Sequence, residues 1–192
     1  MLLIKKAEIW QKIEVNITNI ILQGKRRKFY LGGFMSSLGK DLRKILSVNQ
    51  VLDEPEDLLA YANDATFYIA RKSPDAVTFP HSTEDVSNIV RFAFENKISV
   101  VPRGAGSGLA GGCTPIHGGI VIDTKQMNSI ISINRNNMTA EVQCGVVLDK
   151  FNKELLKQRL FYPPDPQSMK VCTIGGNIAT RAGGPRGVKY GT

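Results

Sequence analysis

Only two histidines, His81 and His117, and three cysteines, Cys113, Cys144 and Cys172, occur in the chain. None of the cysteines forms a C-x-x-C pair and no H-E-x-x-H is present, so no zinc or iron–sulfur site is encoded here. Three cysteines, odd in number and spread about thirty residues apart, read as buried, reduced thiols and not as a disulfide framework. No window holds eighteen consecutive apolar residues, which excludes a membrane-spanning helix. Aromatics make up only 7% of the chain, so the stacking stripe of a nucleic-acid binder is missing.

What is there describes a globular protein. The 192 residues are 42% apolar and 22% charged, with Gly 18 and Pro 9, which excludes a coiled coil, a collagen-like chain and a largely disordered one. The net charge of +8 suggests an anionic partner until its location is considered. Residues 1–34 carry +5 of it, through Lys5, Lys6, Lys12, Lys25, Arg26, Arg27 and Lys28 against Glu8 and Glu14. From Met35 onward the balance is +3, with scattered basic residues.

Residues 1–34 therefore form a basic leader of their own composition. The run Ile20–Leu22 is too short for a signal-peptide core, and its basic cluster follows instead of preceding it. Two readings stay open. Ile9, Ile13, Ile17 and Ile20 fall at helical spacing, as in a basic amphipathic arm. Alternatively, Leu31-Gly32-Gly33-Phe34-Met35 can be encoded by TTA GGA GGT TTT ATG, a ribosome-binding sequence before a start, and translation begins at Met35.

After Met35 the pattern predicts a helix over 37–46 (Leu38, Leu42, Ile45, Leu46) and a helical turn opened by Asp53-Glu54-Pro55-Glu56-Asp57. Residues 75–80 read as a short strand ended by proline. Ser82 or Thr83 caps a helix whose apolar face is Val86, Ile89, Val90, Ala93 and Phe94. Asn96-Lys97 ends it, and residues 98–101 form a buried strand, which makes a parallel, right-handed strand–helix–strand unit. Strands over 119–124, 129–134 and 139–144 follow. A helix marked by Leu148, Phe151, Leu155 and Leu156 comes next, and then the rigid turn Tyr162-Pro163-Pro164-Asp165-Pro166. This order is that of an α+β domain, not a regular doubly wound sheet.

The central motif is Val101-Pro102-Arg103-Gly104-Ala105-Gly106-Ser107-Gly108-Leu109-Ala110-Gly111-Gly112. Gly106 to Gly111 fits G-x-G-x-x-G after a strand, and Asp123 could serve as the ribose acid of a nicotinamide site. That site requires a helix opening from the loop. Gly111, Gly112, Pro115, Gly118 and Gly119 interrupt every turn of it, so the reading fails. What remains is a loop whose successive N–H groups can converge on phosphate oxygens, with Ser107 adding a hydroxyl and Arg103 a charge.

A second glycine-rich stretch, residues 173–184, again lets backbone approach a ligand closely. Two such loops separated by a βββα stretch suggest one long ligand, such as a dinucleotide, gripped along its length. Neither loop has a P-loop lysine, which argues against ATP or GTP hydrolysis.

Five ordered motifs between about Tyr61 and Thr192 carry a family resemblance. They are P-x-x-V-x-F-P-x-S-T-E-D-V at 74–86, V-P-R-G-A-G-S-G-L-A-G-G at 101–112, Y-P-P-D-P at 162–166, T-I-G-G-N-I-A at 173–179 and A-G-G-P-R-G-V-K-Y-G at 182–191. The chain resembles the PCMH-type FAD-binding domain of the vanillyl-alcohol oxidase superfamily, in the branch that holds the D-type subunit of glycolate oxidase and D-lactate dehydrogenase. The resemblance implies a FAD-binding module of two α+β subdomains, the second incomplete. It divides the chain into the leader (1–34), an N-terminal helical segment (35–60) and the FAD-binding domain (61–192), truncated at its C-terminal end.

The resemblance implies a set of cofactor-binding residues. Pro102, Arg103, Gly104, Ala105, Gly106, Ser107 and Gly108 form the first group, with Arg103 through Gly108 along the pyrophosphate. Asp165, Thr173, Gly175, Gly176, Asn177, Ala179, Gly183 and Gly184 lie along the rest of the cofactor. Many superfamily members attach FAD through a histidine in the first loop. Gly106-Ser107-Gly108 stands there, so FAD is expected to be non-covalent, and His117 is expected to be an exposed turn residue. Arg181 replaces a small polar residue beside the flavin segment.

The intact enzyme of this branch oxidises a small-molecule 2-hydroxy acid, glycolate or D-lactate in type, by hydride transfer to flavin N5. The residues implied to do the chemistry lie beyond residue 192, so no catalytic residue is assigned and the chain is expected to be inactive alone. The same loops would also serve a non-catalytic FAD- or nucleotide-binding module. An electron-acceptor or iron–sulfur partner subunit, a cytoplasmic location and peripheral membrane association through partners complete the expectation. No nucleic acid and no metal enter it.

Overall fold

The computed structural model describes residues 35–67 and 72–191. The readings of the leader, as an arm or as sequence upstream of a start at Met35, lie outside the described residues. The described chain divides into two units: residues 35–102 with 109–123, and residues 103–108 with 124–191.

The first unit contains α1 (Met35–Leu42), β1 (Val51–Leu52), α2 (Pro55–Leu58), β2 (Ala76–Thr78), α3 (Thr83–Glu95), β3 (Val100–Arg103, whose last residue opens the second unit) and β4 (Ile120–Asp123). The sheet order is β1-β2-β4-β3. β1 runs antiparallel to β2, with Val51 opposite Thr78, and β2 runs parallel to β4, with Val77 opposite Val121. β4 therefore lies between β2 and β3, and the strand–helix–strand unit expected from the sequence spans an intervening strand. Every residue of β2 and β4 is buried, as a near-continuous apolar run requires when both faces of a strand are covered.

Ser82 caps α3 by accepting the Asp85 N–H at 3.1 Å. The Asp85 carboxylate in turn accepts the His81 N–H and the Gln50 side-chain amide, each at 2.8 Å. The core of this unit joins Leu38, Leu42 and Leu46 to Ile89, Ala93, Ile120 and Ile122. Three sequence expectations shift. α1 stops at Leu42, leaving Ile45 exposed in the following turn. β3 begins at Val100, not Ile98, and is half-buried where a buried strand was expected. Phe94 is 65% exposed, while Phe92 packs on the core. The buried line of α3 runs through Ile89 and Ala93, and Phe94 stands about 120° round the helix from it, further than Phe92.

The second unit contains an antiparallel ribbon of β5 (Ile130–Asn134) and β6 (Thr139–Val142), then α4 (Leu148–Lys157), α5 (Ile174–Ala179) and α6 (Gly187–Tyr190). Val146, Leu148, Phe151, Leu155 and Ile174 are buried to 2% exposure or less, and Tyr162 and Cys172 complete the cluster at 8% and 7%. Each large apolar side chain among them contributes about 1.5–3 kcal/mol by leaving water. Residues 144–148 and 172–175 run side by side: Leu148 N–H donates to the Cys172 carbonyl at 3.0 Å, and Ile174 N–H to the Val146 carbonyl at 2.8 Å. Leu156, expected on the helix's apolar face, is exposed. All three cysteines are free, but only Cys172 is buried, while Cys113 and Cys144 are half-buried. Among the described residues no helix is long and apolar enough to cross a membrane.

Candidate functional site

The first glycine loop, Arg103–Gly108, lies in the second unit although the chain on both sides of it belongs to the first. Residues 109–118, where a nicotinamide site needs a helix, form only turns and bends. Thr124 Oγ1 donates to the Arg103 carbonyl at 3.2 Å and so fixes the loop's entrance. Gly106 has φ +68°, the left-handed region that an L side chain enters at a cost. The Arg103 guanidinium folds back over it: a Cβ at 106 would stand 2.7 Å from Arg103 Cζ. The loop is half-buried as far as Ser107, and Gly108 is exposed. Among the described residues, the N–H groups of residues 104–108 donate to no protein acceptor. A run of free donors with a guanidinium folded over it has the composition of an anion-binding nest.

The second glycine stretch contains a helix where the sequence predicts only a loop. Thr173 is the N-cap of α5, and its Oγ1 accepts the Gly176 N–H at 3.2 Å. Gly175, inside the helix, stands against Cys144, where a Cβ would be 2.7 Å from the Cys144 Cβ. That close approach explains a glycine in a helical position it would otherwise weaken.

The two stretches meet. A Cβ on Gly104 would collide with Thr173 Oγ1, so the first loop rests directly on the cap of α5. Beyond α5, Asn177 is 3% exposed and its side-chain amide is engaged at both ends: Oδ1 accepts the Tyr162 hydroxyl at 2.9 Å, and Nδ2 donates to the Ala182 carbonyl at 3.2 Å. Asp165 accepts the Arg186 N–H at 3.1 Å and pairs with its guanidinium at 3.4 Å, and Gly184 abuts the Asp165 carbonyl. Ala179 is exposed at the end of α5, and Gly183 is half-buried. The loop, Asp165 and the 173–184 stretch are thus assembled in one unit, while Pro102 belongs to the other.

The sequence places Tyr162 in the rigid turn without assigning it a role, although a hydroxyl in an otherwise apolar neighbourhood needs a partner. Burial, with a smaller contribution from Cys172, pushes the Tyr162 phenol above its ordinary value. Burial likewise raises the Cys144 and Cys172 thiols, which keeps them protonated and unreactive. His117 is exposed in a turn.

A family model described as "FAD binding domain" matches residues 74–192. The chain belongs to this FAD-binding family. It is 46% identical over 133 residues to glycolate oxidase subunit GlcD of Bacillus subtilis (strain 168), covering 69% of this chain and 28% of that protein. It is 41% identical over 131 residues to D-lactate dehydrogenase of Anaerostipes hadrus, covering 68% and 27%. Among solved structures it matches an alkyldihydroxyacetonephosphate synthase with a TM-score of 0.73 and 26% identity, over 87% of this chain and 35% of that one. The fold is the mixed helix and sheet of PCMH-type FAD-binding proteins, as the sequence motifs implied. The chain spans under a third of the length of the curated relatives named here. FAD is the cofactor of the family, and the residues present fit it: loop N–H groups that meet no acceptor among the described residues, with a guanidinium beside them, suit a diphosphate.

Proposed function

We propose that this chain is the FAD-binding portion of a flavin-dependent oxidoreductase that oxidises a 2-hydroxy acid of the glycolate or D-lactate type. The contact between Gly104 and Thr173 carries the reading, because it joins both glycine stretches into one binding surface. The N–H groups of Gly104 through Gly108 and the Arg103 guanidinium hold the pyrophosphate. Gly183 and Gly184 let backbone approach the flavin end. Thr173, Gly175, Gly176, Asn177 and Asp165 would hold that backbone in place for the rest of the cofactor. Ala179 borders the surface.

When bound, the flavin accepts the substrate hydride at N5, and the base for the hydroxyl proton comes from outside these residues. His81 and His117 are both exposed, and His117 lies in a turn. The chain is accordingly inactive alone. FAD is held without a covalent bond, since Gly106-Ser107-Gly108 offers no nucleophile suited to flavin attachment. The 2-hydroxy acid and an electron-accepting partner subunit belong to the longer assembly.

The test is a titration of the purified chain with FAD, followed by flavin fluorescence. Saturable uptake of one FAD, released in full on acid denaturation, supports the reading, and no uptake overturns it. Turnover of glycolate or D-lactate by the chain on its own would contradict its inactivity. An assembly containing this chain that binds FAD but oxidises neither acid would favour a non-catalytic flavin-binding module.

A further inference from the structure

We propose that Tyr162 is a positioning residue for FAD, acting through Asn177 on the backbone of the second glycine stretch without touching the cofactor. The inference rests on the reading above, in which Gly183 and Gly184 approach the flavin. It adds a residue which that reading does not use.

Tyr162 is a rigid post. It is 8% exposed, its ring lies against Phe151 with centroids 6.0 Å apart, and its N–H donates to Asn152 Oδ1 at 2.8 Å. Pro163 and Pro164 stiffen the chain that leaves it. Its hydroxyl donates to Asn177 Oδ1 at 2.9 Å. A side-chain amide with its oxygen committed to one donor must present its nitrogen on the opposite side. There Nδ2 meets the Ala182 carbonyl at 3.2 Å, while the Ala182 N–H donates back to the Asn177 carbonyl at 2.9 Å.

Asn177 and Ala182 are therefore clasped by two hydrogen bonds that close the turn between them, and Arg181 within that turn is held at φ +48°. Gly183 and Gly184 leave directly from the clasp. Glycines have the widest backbone freedom, so the clasp sets the direction in which Gly183 starts out, before Gly184 meets the Asp165 carbonyl. Burial raises the Tyr162 phenol, and the hydroxyl stays a donor throughout the neutral range.

Tyr162→Phe keeps the ring and removes the donor, leaving the Asn177 oxygen buried without one. Such a loss corresponds to about tenfold in an equilibrium constant. We expect Y162F to weaken FAD binding by about tenfold and to speed tryptic cleavage after Arg181 by about fivefold in the FAD-free chain. In an Asn177→Ala background, Y162F should change the FAD Kd by less than about twofold, because the hydroxyl then has nothing to act on. A merely structural Tyr162 would weaken binding equally in both backgrounds.

Unchanged cleavage and a Kd within about twofold of the parent overturn the inference while the FAD reading stands. A parent chain that takes up no FAD overturns both. Hydrogen exchange on the unsubstituted chain reads the clasp without any variant: the Ala182 amide should exchange as slowly as amides within α4. Exchange at the rate of exposed turns would contradict the inference.

Discussion

Gly104 abuts the side-chain oxygen of Thr173, leaving no room for a Cβ between the first glycine loop and the cap of α5. A Gly104→Ala substitution must push the loop away from the second stretch. Overpacking of this kind costs about 1–3 kcal/mol, which corresponds to a loss of about tenfold or more in FAD affinity if it falls on the bound geometry. Gly112→Ala is the control, since nothing stands within 4 Å of a Cβ there. Fluorescence titration should show weakened binding for the first variant and parent-like binding for the second.

Thr173 has a second task. Its Oγ1 caps α5, a helix of six residues with few hydrogen bonds of its own. Thr173→Ala should cost about 1 kcal/mol in urea unfolding, and Thr173→Ser should recover most of it because the oxygen is retained.

Arg181 occupies the left-handed region at φ +48°, is exposed, and follows the last turn of α5. Asparagine tolerates that conformation better than arginine. Arg181→Asn should raise stability by about 0.5–1 kcal/mol, seen as a melting temperature higher by about 1–4 °C. A lower melting temperature would mean that the guanidinium makes a stabilising contribution of its own.

Asp85 governs part of the acid response of the first unit. Burial pushes its carboxyl up, but hydrogen bonds from the His81 N–H, Gln50 and Ser82 outweigh that, and the net direction is downward from 3.8. A depressed folded value means that the stabilisation is present in full above 3.8 and is lost as pH falls through the folded value. The urea midpoint of the parent should therefore drop as the pH is lowered below 3.8, and Asp85→Asn should flatten that drop while lowering stability at neutral pH. Asp64 retains a share of the dependence: burial raises it, and hydrogen bonding from Thr66 helps bring it below 3.8.

The first glycine loop was legible because glycine and proline spacing alone removes the helix a nicotinamide site needs, and residues 109–118 indeed form none. The cap at Ser82 or Thr83 and the strand over residues 119–124 were equally plain, since each depends on neighbours in sequence. α5 was not legible. Gly175 and Gly176 argue against a helix locally, and the reason for Gly175, the nearness of Cys144, is a contact made only after folding. Tyr162 escaped for the same reason, because its hydroxyl partner lies beyond the turn it begins. Phe94 misled because an i+8 match to Val86 carries it round the helix, away from the buried line.

Six residues, Arg103 to Gly108, belong to one unit while the sequence that delivers and retrieves them belongs to the other. Gene-level shuffling meets this as an obstacle. A crossover near residue 124 would inherit the α5 cap from one parent and the loop resting on it from another. Chimaeras of related flavoproteins joined at that point should therefore lose FAD unless both parents agree at Gly104 and Thr173, whereas exchanges confined to residues 109–118 leave that matched pair intact.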